Sequence, residues 1–131
     1  MKNYKNIPWE IERFSKPLLD SAYSVHTKLG PGLMESVYEI CLAHELKKRG
    51  IKCERQVPLP VVYDDLKVEG GFRVDLLVEG CIVVELKSVE VLLPVHEAQM
   101  LTYLKLSNLH LGFLFNFNVS SLKRGMKRLV L

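Results

Sequence analysis

The sequence predicts a mixed α/β domain, a mixed β-sheet flanked by helices, with elements in the order α-α-β-β-β-α-β-β. Three observations carry this reading. Apolar residues recur at helical spacing up to Gly50 and at a period of two from Ile51, and a helical stretch returns after Pro94. The chain of 131 residues is long enough to close one core but not two. Its 48% hydrophobic and 25% charged residues are the balance of an ordinary globular domain.

The elements follow in chain order. Residues 1–16 read as a polar N-terminal arm with apolar anchors Ile7, Trp9, Ile11 and Phe14, ahead of a domain spanning residues 17–131. Pro17 suits the first turn of a helix running to about Lys28, with Leu18, Ala22, Val25 and Leu29 at helical spacing. Gly30-Pro31-Gly32 breaks it, and a second helix is expected from about Leu33 to Arg49, stopped by Gly50. Ile51 to Val61 alternates as a strand, and Pro58 and Pro60 place it at a sheet edge. Asp64-Asp65 and Gly70-Gly71 mark turns, followed by strands from Phe72 to Val78 and from Ile82 to Val89. Pro94 opens a helix to about Leu106, Leu109 to Phe117 reads as a buried strand, and Met126 to Leu131 closes the chain as a short one.

Bulk properties narrow the function classes. A net charge of +3 permits a nucleic-acid partner without demanding one. Cys41, Cys53 and Cys81 are odd in number and lack a CxxC pair, which argues against a disulfide framework or a zinc site. Met1 to Ser15 has no apolar core of a signal peptide, and Leu109 to Phe117 is too short to span a bilayer. A cytoplasmic protein with no membrane partner is the expectation.

The segment richest in chemistry is Phe72-Arg73-Val74-Asp75-Leu76-Leu77-Val78, followed by Ile82-Val83-Val84-Glu85-Leu86-Lys87. Phe72, Val74, Leu76 and Val78 share one face of the first strand; Ile82, Val84 and Leu86 share one face of the second. A loop of Glu79, Gly80 and Cys81 sets Val78 against Ile82, Leu76 against Val84 and Val74 against Leu86, giving a single apolar face. The other face then carries Asp75 across from Glu85 and Arg73 across from Lys87. A two-residue loop sets Asp75 beside Val84 and spoils both faces. The apolar pattern therefore selects the register that brings the carboxylates together.

That register has a cost. Cross-strand side chains lie ~5 Å apart, and two carboxylates at that distance repel by roughly 3 kcal/mol at an effective dielectric of about 20. A fold keeps such a pair where a cation or a shared proton offsets the repulsion. Two carboxylates, with the other positions left to water and phosphate, describe a Mg2+ or Mn2+ site. Lys87, two residues beyond Glu85, is placed to hold a phosphate oxygen or to lower the pKa of an attacking water. The competing reading is a solvated face on which Arg73, Asp75, Glu85 and Lys87 form surface salt bridges. Against it, Leu77 and Val83 share that face, and both strands read as buried, where free charges are expensive.

Asp75 followed by Glu85-Leu86-Lys87 resembles the D…ExK signature of the PD-(D/E)xK nuclease superfamily. Gly32-Leu33-Met34-Glu35-Ser36-Val37-Tyr38 is similar to the motif of the GxxExxY proteins, a bacterial branch of that superfamily. The likeness extends over about residues 17–131 and takes in Val25-His26, Leu29-Gly30-Pro31, Gln99 with Tyr103, and Asn116-Phe117. It implies a restriction-endonuclease-like fold in which Asp75 and Glu85 bind Mg2+ (or Mn2+) and Lys87 positions water. It also implies that Glu35 reaches the metal from its helix and that Gln99 flanks the site. The resemblance names no substrate; the leading reading is a Mg2+-dependent phosphodiesterase acting on DNA. The two other readings are a catalytically inactive nucleic-acid-binding or partner-regulating module, and a metal-binding structural domain.

The remaining residues are weighed individually. Glu35, Leu42 and Leu46 project within ~40° of one another on a helix, which puts this acid on a leucine-lined stripe; a glutamate favoured by the helix dipole is the plainer alternative. Tyr38 reads as core with its hydroxyl near the site, His96 as a capping or surface residue near Pro94, and His26 and His44 as structural. Lys47-Lys48-Arg49 reads as a solvated helix end, and Lys123-Arg124 with Lys127-Arg128 as a candidate phosphate contact. No aromatic platform interleaves these clusters, so recognition by DNA structure or end is expected rather than by sequence. The apolar Phe113-Leu114-Phe115 run is a candidate homodimer surface.

Overall fold

A computed structural model describes residues 6–131. Residues 1–5 of the expected arm lie outside the described residues. A short helix α1 (Trp9–Glu12) precedes α2 (Ser15–Leu29) and α3 (Glu35–Lys48). Strands β1 (Cys53–Tyr63), β2 (Leu66–Val78) and β3 (Ile82–Lys87) follow, then α4 (Pro94–Ser107), β4 (Leu111–Asn116), a 3-10 turn (Leu122–Gly125) and β5 (Met126–Val130). The expected order holds, with α1 added. Within the arm, Ile7, Ile11 and Phe14 pack against the core, whereas Trp9 is 69% exposed and anchors nothing. No helix among the described residues is long and apolar enough to cross a membrane.

The five strands form one mixed sheet in the order β1-β2-β3-β4-β5. β1, β2 and β3 run antiparallel in succession, α4 crosses over to make β4 parallel to β3, and β5 returns antiparallel. As Pro58 and Pro60 require, β1 lies at an edge. β3 and β4 lie at the centre and are buried almost throughout. Helices α2 and α3 cover one face through Leu18, Ala22, Leu42 and Leu46, which pack with Leu76, Ile82, Val84 and Phe115. Helix α4 covers the other face, where Met100 and Leu104 pack with Val74 and Val83. Phe113, Leu114 and Phe115 all lie inside this sandwich, which removes them as a dimer surface.

Two local expectations are corrected. Gly70-Gly71 is not a turn but a distortion within β2, where the pairing with β1 shifts between Leu59↔Phe72 and Val61↔Val68. Gly70 takes φ +66, and a Cβ on Gly71 would stand 2.3 Å from Cγ2 of Val61. Glycine is thus demanded there by a bulge, where two strands crowd, rather than by a reversal of the chain. Second, β3 ends at Lys87 rather than Val89, and the β2–β3 ladder ends sooner, at Leu76↔Val84. Val74 accordingly does not pair with Leu86 but belongs to the α4 side with Val83.

Candidate active site

The hairpin register is the one the apolar pattern selects: Val78↔Ile82, Leu77↔Val83 and Leu76↔Val84, closed by Glu79 to Cys81. Counting on by one residue brings Asp75 level with Glu85, and there side chains take over from the backbone ladder. Oε2 of Glu85 accepts a hydrogen bond from the Asp75 amide at 2.7 Å. Oδ2 of Asp75 accepts one from the Leu86 amide at 2.8 Å. Each carboxylate is thereby oriented by the other strand.

The electrostatics follow from this packing. Glu85 is 7% exposed. Burial, reinforced by the charge of Asp75, pushes its carboxyl up to about 8; the Asp75 amide and Lys87 pull the other way, and Glu35 adds to the rise. Such a carboxyl holds a proton at neutral pH unless a cation replaces it. Lys87, half-buried at the end of β3, pairs with Asn116 of β4. The Asn116 side chain is 1% exposed and clamps the chain beyond Lys87. Its Oδ1 accepts from the Val89 amide at 3.1 Å, and its Nδ2 donates to the Val89 carbonyl at 2.9 Å.

The other expected residues divide. Glu35 is exposed in the first turn of α3, and its Oε2 accepts from the Ser88 amide at 3.1 Å. The Ser88 hydroxyl donates to the Leu33 carbonyl at 2.7 Å, so the start of α3 is tied to the residue after Lys87. The Glu35 charge acts on Glu85, but among the described residues no group of three or more His, Cys, Asp or Glu side chains is arranged to hold a metal. Gln99 is exposed on α4, one turn before Tyr103. The Tyr103 hydroxyl is pushed up by burial and by the charges of Glu85 and Asp75, which places it within their field. Its ring stacks on Phe72 at 4.5 Å.

Tyr38 is fully buried and stacks on Phe117 at 4.5 Å; its hydroxyl donates to the Gly30 carbonyl at 2.6 Å and accepts from the Leu33 amide at 3.1 Å. It therefore acts as a clasp for the loop before α3. His26 contacts the Val119 carbonyl at 2.8 Å, and His96 Nδ1 accepts the Leu93 amide at 3.0 Å as a cap. Of the C-terminal basic group, Lys127 pairs with Glu97 and Arg128 with Glu12, while Lys123 and Arg124 are exposed.

Sequence reasoning missed two side chains. Glu39, four residues after Glu35 on α3, is buried, at 5% exposure, where Glu35 is exposed. A helical wheel puts it on the Glu35–Leu42–Leu46 stripe, so a signal existed. Gln56 of β1 had none: it reaches Asp75 Oδ1 at 3.3 Å, 19 residues away in sequence.

The Asp75–Glu85 pair fits a divalent cation. One oxygen of each carboxylate is committed to a backbone amide, and the other is the one a metal can take, in the oxygen-donor chemistry that Mg2+ and Mn2+ prefer. A mixed sheet with helices on both faces, bearing Asp on one strand and Glu-x-Lys on the next, defines a restriction-endonuclease-like domain. The chain belongs to the PD-(D/E)XK nuclease superfamily, whose family model matches residues 12–129. No curated protein and no solved structure gave a match. Nucleases of this superfamily generally use divalent metals.

Proposed function

We propose that this chain is a cytoplasmic, Mg2+- or Mn2+-dependent deoxyribonuclease of the GxxExxY branch, selecting its substrate by DNA structure or by an end rather than by base sequence. The observation that carries the reading is the interlocked pair of Asp75 and Glu85 with Lys87 two residues along the same strand. The clasp that Tyr38 makes across Gly30 to Leu33 supports the branch assignment, because it gives the tyrosine of that motif a physical role in presenting Glu35.

In this reading Asp75 and Glu85 would hold the cation, and Glu35, whose charge acts on Glu85, would add to the negative field that attracts it. A bound divalent ion supplies Lewis acidity toward a phosphate oxygen and a more acidic water. The Lys87 ammonium would hold a water or a phosphate oxygen and offset the charge that develops on phosphorus-bound oxygens. Gln99 and Tyr103 line the approach of the substrate. Lys123 and Arg124, exposed on the turn before β5, are available to contact backbone phosphates.

The test is a cleavage panel of single-stranded, duplex, flapped and branched DNA with Mg2+, Mn2+ or EDTA, run on wild type and Asp75→Ala. Metal-dependent cleavage that favours one structure and disappears in Asp75→Ala supports the proposal. Mn2+ binding without cleavage of any substrate would make the protein a non-catalytic binding or regulatory module instead.

A further inference from the structure

We propose that Gln56 is a positioning residue for the metal site: anchored by Glu39, its side-chain amide holds Asp75 in the orientation that receives the cation. The inference rests on the reading of Asp75 as a metal ligand and adds two residues to it.

Gln56 occupies the position in β1 across from Asp75, between the pairs Arg55↔Leu76 and Val57↔Val74, but it does not pair as a strand residue. Its φ is +53, a left-handed conformation that is unfavourable for a residue with a Cβ and persists where surrounding contacts impose it. The contacts here are two carboxylates. Nε2 donates to Glu39 Oε1 at 2.5 Å and to Asp75 Oδ1 at 3.3 Å. Both partners only accept, so the nitrogen rather than the oxygen of the amide must face them.

Three features make this more than local packing. First, Asp75 Oδ2 is fixed by the Leu86 amide, so Oδ1, the oxygen left for a cation, is the one Gln56 orients. An oxygen with two lone pairs can serve the amide and a cation together. Second, Glu39 is itself held: Arg55 Nε donates to its Oε2 at 2.9 Å, so the anchor is neutralised and cannot swing freely. Third, a neutral double donor between two carboxylates lets Glu39 lie close to the site without joining Asp75 and Glu85 as an unshielded third charge. Glu39 thus acts on the cation through Gln56 rather than by ligation.

The test uses Gln56→Gly, which removes the amide while accommodating the left-handed backbone, so that the metal-free fold is not weakened by strain. Calorimetry with Mn2+ should show affinity about 10- to 100-fold below wild type, the usual cost of removing a partner that orients a ligand. The melting temperature in EDTA checks that the variant folds, relief of the left-handed backbone offsetting part of the cost of the two lost hydrogen bonds. In cleavage assays the half-activating Mn2+ concentration should rise similarly, with the rate largely restored at saturating metal.

Glu39→Ala should weaken Mn2+ binding in the wild-type background and add nothing in the Gln56→Gly background. Wild-type Mn2+ affinity in Gln56→Gly overturns the proposal, as does a full additional loss from Glu39→Ala in the double variant. If the wild-type protein binds no Mn2+, or Asp75→Ala binds it undiminished, the reading of Asp75 as a ligand falls and this inference with it. Those results are distinguishable from a failure of Gln56 alone.

Discussion

Asp75 and Glu85 are joined by crossed hydrogen bonds: the amide of one feeds the carboxylate of the other, and the Leu86 amide answers back to Asp75. The pair sits where the β2–β3 ladder stops, so the two side chains replace the backbone pairing that ends at Leu76↔Val84. Its energetics are set by burial, and they depend on pH.

The folded, metal-free protein holds the Glu85 carboxyl at about 8 against an ordinary value of 4.5. A raised value means that the native state binds the proton more tightly than the unfolded chain. The contribution is complete below 4.5, declines as pH rises through the window to about 8, and is flat above it. Melting curves in EDTA across that range should fall for wild type and be flatter for Glu85→Gln. Mn2+ affinity should climb over the same window, because the cation displaces the proton.

Glu45 behaves in the opposite sense. Arg49, with Lys48 and Lys28, holds its carboxyl down to about 2. A lowered value gives stability that is present above 4.5 and lost as pH falls toward 2. Urea unfolding of Glu45→Gln should show a shallower acid limb than wild type, with little difference in slope between pH 5 and 7.

Lys87→Ala should separate chemistry from metal binding. Loss of an electrostatic stabiliser lowers the cleavage rate on the order of 100-fold or more, while Mn2+ affinity should hold or rise because a cationic neighbour is gone. Asp75→Ala and Glu85→Ala should lose metal and cleavage together. Lys87→Arg should recover only part of the rate, since a planar guanidinium does not reproduce a compact ammonium. A Lys87→Ala enzyme with wild-type turnover would leave Lys87 as a bystander.

Asn116→Ala should destabilise the protein by about 2 kcal/mol, within the range for leaving buried polar groups unpaired, because the Val89 amide loses its partner and the Val89 carbonyl keeps only the longer bond from Asn118 Nδ2 at 3.4 Å. Asn116→Asp preserves the shape but sets an acceptor against the Val89 carbonyl, so it should not rescue. Chemical denaturation of the three proteins decides the matter.

The central hairpin was legible in the chain because its information is local. Asp75 and Glu85 are ten residues apart, and the alternation of Leu76, Val78, Ile82 and Val84 admits only one register that keeps a single face apolar. The edge position of β1 and the burial of β4 were equally readable, from two prolines and from an unbroken apolar run. What remained hidden depends on partners distant in sequence. Gly70-Gly71 signals a departure from regular backbone, but only the approach of Val61 decides between a bulge and a turn. Glu35 and Glu39 lie on one helical stripe, and the packing of α3 on the sheet decides which is covered. Gln56 carries no local pattern at all. Its strained backbone and its place between Glu39 and Asp75 arise only when α3, β1 and β2 are brought together, since a hydrogen bond between distant residues has no period in the sequence.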